Sequence, residues 1–116
     1  MIPRILISVS SDPRVSGRPA EAVRIAAGVG TWRKVEMNLL LRGPAVHGLA
    51  EWVDELVDDD NFTRYLPVFE EMKRPVYVEQ GFGDPEVLKN SPWKYREIPR
   101  SEIAKLYADH HFVMHL

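Results

Sequence analysis

The sequence predicts a single α/β domain, residues 1–116, built on a mostly parallel sheet of four to five strands with helices on both faces, in a flavodoxin-like layering. Two observations lead there. Short β-branched, apolar runs alternate with stretches whose apolar residues recur every three or four positions, and this order favours parallel strands joined by right-handed crossovers. A length of 116 residues, 45% hydrophobic and 28% charged, suits one soluble domain with one core.

Residues Ile2 to Val9 form the opening strand, apolar on both faces as a covered parallel strand should be. They leave no room for the basic region and cleavage site of a signal peptide, so a cytoplasmic protein is expected. Ser10 to Arg18 are rich in turn formers. Pro19 suits the first turn of a helix, with Ser16 or Gly17 near its cap. From Ala20 to Trp32 the polar or glycine positions, Glu21, Arg24, Gly28 and Thr31, trace one narrow stripe. A helix apolar on its other sides is buried on them, and a subunit contact is expected to supply part of the cover.

Val35 to Leu41 read as the second strand, closed by Arg42-Gly43-Pro44. Leu49, Trp52, Val53, Leu56 and Val57 repeat as on an amphipathic helix, and Phe62, Tyr65, Leu66, Phe69 and Met72 as on another. Pro67 predicts that this second helix starts near Leu66 or kinks there. Trp32 and Trp52 are read as core. Pro75 to Glu79 are the third strand. Residues Gly81 to Pro99 read as an irregular loop in which Trp93 and Tyr95 form either a lid or, preferably, a subunit contact. Ser101 can cap a helix over Glu102–Ala108, and Phe112 to Leu116 close the sheet.

The organisation resembles that of the DsrE/DsrF/TusD-like family of small α/β proteins. Three stretches carry the resemblance: "AEAVRIAAGVG" after the first strand, "VEMNLLLRGPAV" running into a glycine turn, and "EIAKLYADHHFVMHL" at the close. The resemblance implies the fold and a tendency to oligomerise. Sulfur-relay members carry persulfide on a cysteine just after the third strand. Here Glu79 and Gln80 stand in that region, and the sequence holds no cysteine anywhere. A cysteine-dependent sulfurtransferase is therefore excluded, along with disulfides and zinc–thiolate sites.

In open α/β sheets ligands bind beyond the carboxyl ends of the strands. The loops expected there bring Ser10, Ser11, Asp12, Arg14, Arg18, Arg42, Gly43 and Gln80 forward as candidate ligand-binding residues. The helix start near Pro19 and the loop arginines suit a small anion or nucleotide. Glu79 and His47 are the candidate acid/base pair of an alternative reading, a small enzyme acting on an anionic substrate. His110, His111 and His115 suggest no single-chain metal site, since His111 and His115 lie roughly 13 Å apart along a strand. A net charge of −2 supplies no footprint for nucleic acid, and no apolar stretch approaches the ~20 residues of a membrane span. The expected protein is a homo-oligomer that binds a small anionic ligand and uses no cofactor, nucleic acid or membrane.

Overall fold

The computed structural model describes residues 2–50, 56–81 and 85–116. Five strands, β1 (Arg4–Val9), β2 (Glu36–Leu41), β3 (Val76–Glu79), β4 (Tyr95–Ile98) and β5 (Phe112–His115), form one sheet in the order β4-β3-β2-β1-β5. Every pairing is parallel. The chain steps from β1 outward to β4, then returns to lay β5 on the far side of β1. The reversal of direction therefore falls between β1 and β5.

Helices α1 (Arg18–Gly30), α2 (Asp59–Glu71) and α3 (Pro85–Lys89) connect the outward steps, and α4 (Ile103–Ala108) the return. The main core lies under α1 and α2, where Ile7, Val9, Leu39, Leu41 and Val78 of the strands meet Val23, Ala26, Phe62 and Phe69 of the helices. A smaller cluster, Leu6, Leu40 and Ile103, lies under α4. The alanines of α1 let that helix sit close to both the sheet and α2. Gly48 does the same for the 3-10 segment Gly43–Leu49: a Cβ there would stand 2.8 Å from Phe62 Cε1.

Several expectations are corrected by this architecture. Most of the apolar surface of α1 is already covered within the chain, by β1, β2 and α2, while Val29 stays 38% exposed. Trp32 is not core. It falls beyond the end of α1 and is 61% exposed, with Lys34 Nζ 5.5 Å from its ring. Pro67 neither starts nor visibly ends the second helix, which begins at Asp59 and runs through it. The carbonyl four residues earlier belongs to the exposed Thr63, where water can replace the missing N–H. Acidic Asp59 and Asp60 in the first turn favour that earlier start.

The stretch Gly81–Pro99 is not one loop. It contains α3 and the strand β4, whose side chains are half-buried or exposed because β4 is a sheet edge. The closing helix is preceded by a 3-10 turn, Arg100–Glu102, and Ser101 makes no side-chain cap. Leu49 ends the 3-10 segment Gly43–Leu49, and Leu56 and Val57 lie in a turn region. Trp52 and Val53, on which the expected helix between them rested, lie outside the described residues.

Candidate functional site

The carboxyl end of β3 holds a buried carboxylate. Glu79 is 3% exposed and closes β3 on the α4 side of the sheet, where it pairs in register with Ile98. Arg42, the residue after β2, donates to Glu79 Oε2 from Nη2 at 2.9 Å and from Nε at 3.2 Å. The other oxygen, Oε1, accepts from the Gly43 amide at 3.2 Å. Gly43 has φ +52°, a left-handed conformation that a glycine adopts without penalty and that turns its N–H toward the carboxylate. Arg100 Nε stands 3.9 Å from the same Oε2.

Tyr107 of α4 ties this cluster to β1. Its hydroxyl accepts from Arg42 Nη1 at 3.1 Å and lies 3.0 Å from Ser8 Oγ. The His115 ring meets the Tyr107 ring edge-on, with centroids 5.6 Å apart. The ends of β1, β2, β3 and β5 are thus joined through one tyrosine and one arginine. Hydrogen bonding to Glu79, then to Tyr107, raises the Arg42 pKa above its ordinary value. The guanidinium is a fixed cation at any accessible pH.

The structure brings Arg42, Gly43 and Glu79 together and sends the remaining sequence candidates elsewhere. Asp12 is clasped by Arg14, which donates from its backbone N–H and from Nε to Oδ1 and from Nη2 to Oδ2. These bonds, with a smaller contribution from His47, hold the Asp12 carboxyl below the usual range. His47 Nδ1 lies 2.9 Å from Pro44 O and so donates to it. The Glu79 oxygens accept hydrogen bonds from Arg42 and the Gly43 amide, so the expected Glu79–His47 acid/base arrangement lacks a free carboxylate. Gln80 turns to Glu97 at 3.4 Å. Ser10 and Ser11 lie in the β1–α1 loop, Ser10 exposed and Ser11 half-buried, and Arg18 opens α1. Asp58 Oδ2 sits so near Gly17, the α1 cap, that a Cβ there would stand 3.0 Å from it. The helix start that suits an anion already faces a carboxylate of this chain.

Ser8, Tyr107 and Arg100 were not singled out from the sequence. Ser8 carries the clearest signal, a polar side chain inside an otherwise apolar strand. The histidines serve the framework. His110 Nδ1 lies 2.8 Å from Leu106 O, which can only accept, so Nδ1 carries the proton and Nε2 accepts from Asn38 Nδ2 at 2.9 Å. His111 Nδ1 accepts from the Arg4 amide at 2.9 Å. Among the described residues no group of His, Asp and Glu is placed to hold a metal ion.

A five-stranded, wholly parallel sheet with helices on both faces and a polar cluster at its carboxyl ends defines a small α/β domain. The structure is similar to that of the ychN protein from E. coli, with a TM-score of 0.78 and 18% sequence identity over 99% of this chain and 100% of that one. At that identity the likeness establishes the fold. No family model matches the sequence, and no curated protein matches it. No helix among the described residues is long and apolar enough to cross a membrane.

Proposed function

We propose that this chain is a DsrE-like module that binds a small anion, inorganic phosphate or the phosphates of a nucleotide, beyond the carboxyl ends of β2 and β3, and that it works as a homo-oligomer without sulfurtransferase chemistry. One observation carries the binding half of this reading. Two guanidiniums converge on one buried carboxylate: Arg42 pairs with Glu79 at 2.9 Å and Arg100 approaches it at 3.9 Å. The Arg42 and Arg100 side chains are 37% and 63% exposed, so a ligand can reach both while Glu79 stays buried. Arginine at a strand end suits bidentate contact with phosphate or carboxylate.

Persulfide transfer requires a thiolate, and no cysteine is available to supply one. In its place the Glu79 carboxylate keeps Arg42 extended across the strand ends. The homo-oligomer half rests on β5, an edge strand whose Phe112 is 65% exposed and whose Met114 is exposed beside it on the same face. Large exposed apolar side chains next to an unpaired strand edge suit a contact between copies.

Thermal unfolding in inorganic phosphate, ATP and succinate tests the binding. At least one of these anions raises the Tm of the native chain, and the rise is lost in Arg100→Ala. The same Tm in all three anions as in chloride overturns it. Native mass spectrometry tests the assembly: multimers are expected, with Phe112→Lys shifting them to monomer. A native chain that is wholly monomeric at micromolar concentration sinks the oligomer.

A further inference from the structure

At the opposite end of the sheet lies a cavity of about 690 Å³, between the carboxyl end of α2 and the starts of β3 and β4. From this geometry we infer that it is a second binding site, for a flat aromatic body carrying one carboxylate or sulfonate. The volume is that of a small-molecule site. Its wall is apolar and aromatic, with Phe69 from α2, Val76 from β3, and Trp93 and Tyr95 from the segment entering β4.

The charge on the lining sets the ligand's chemistry. Lys73 and Arg74, which follow α2, and Lys94, which precedes β4, all border the cavity. One carboxylate, Glu70, faces them and is taken up by Lys94 at 3.4 Å. With Arg96 also on the lining, cationic side chains outnumber that one carboxylate, while the aromatic rings supply a surface for stacking.

The test follows the three tryptophan indole N–H resonances by ¹H–¹⁵N NMR during titration with 2-naphthoate, the Trp93 signal being assigned from Trp93→Phe. The Trp93 resonance shifts and saturates, as expected when the naphthyl ring stacks against the aromatic wall. Removing the charged partners in Lys73→Asn/Arg74→Gln weakens binding by about tenfold, the loss of a charge-assisted contact. Lys73 is exposed and Arg74 half-buried, so the double variant serves even if Trp93→Phe does not fold, and it then identifies the resonance by its weakened response. Naphthalene-2-carboxamide, the neutral counterpart, binds about tenfold more weakly for the same reason. A stationary Trp93 resonance overturns the site. Equal affinity for the carboxamide overturns its preference for anions. A shift that follows protein concentration instead of 2-naphthoate means that a second copy covers the cavity, and overturns the small-molecule assignment.

Discussion

The same three central strands present two unlike faces. Toward α1 and α2 they offer Ile7, Val9, Leu39, Leu41, Val76 and Val78, all buried in one hydrocarbon core. Toward α4 they offer Leu6 and Leu40, but also Arg4, Ser8, Glu36, Asn38 and Glu79, each held by a named partner. The difference follows from the size of the cover. Two helices of 13 residues can exclude water from a whole sheet face, whereas the six residues of α4 cannot. Under the short helix the strands alternate apolar and polar residues, and hydrogen-bond networks hold what hydrocarbon does not cover.

The contrast is open to direct attack. Phe62→Ala on the two-helix face leaves a cavity where Gly48 and the sheet meet α2, and should cost about 3–5 kcal/mol in urea unfolding, the largest effect of any single change named here. A cost below that of every change on the α4 face would reverse the ranking of the faces. Glu79→Ala strips Arg42 and the Gly43 amide of their acceptor and should cost about 2–3 kcal/mol, less than the full loss of a buried pair because Arg42 is partly solvated. Tyr107→Phe removes one hydroxyl shared by Ser8 and Arg42, and thermal unfolding should register a loss of about 1 kcal/mol.

Acid acts more gently, on Glu36 of the α4 face and on Asp12 of the β1–α1 loop. Hydrogen bonding from Arg4, aided by Asn38, holds the Glu36 carboxyl below the usual range, and Arg14 does the same for Asp12. A carboxyl whose folded pKa is lowered stabilises the fold above its ordinary value and stops doing so as pH falls through the lowered one. The contribution of these two carboxyls should therefore be constant near neutrality and decline from roughly pH 4.5 downward. Both pairs are partly solvated, so each contributes at most about 0.5–1 kcal/mol. In Arg4→Met the Glu36 share of that decline should disappear, as equilibrium unfolding at a series of pH values would read.

The two-helix face was legible in the sequence because its strands are apolar and its helices repeat at three and four; β1, α1, β2 and β3 follow from that pattern. The α4 face was less so. Polar residues such as Ser8 and Asn38 sit inside strands that look apolar overall, and their partners, Tyr107 and His110, lie 99 and 72 residues away. β4 escaped because Tyr95-Arg96-Glu97-Ile98 belongs to an edge, where neither face must be apolar. Trp32 misled because helical spacing extends past Gly30 while the helix does not; Arg33, at φ +63°, marks the change in direction. For the site, the position of Glu79 at a strand end was readable. Its partner was not, because hydrogen bonding between Arg42 and Glu79 joins residues on separate loops.

The position of β5 gives the chain a particular order of assembly. β1 lies second from one end of the sheet, yet its neighbour on that side is the last strand in the sequence, with Arg4 bonded to His111 across 107 residues. During synthesis the other four strands can gather before that partner leaves the ribosome, and until then β1 has a bare edge flanked by apolar side chains. Contacts so distant in sequence form slowly, and an open strand of this kind recruits other chains. Premature termination just ahead of Phe112 would accordingly yield a species that has most of its core and still aggregates.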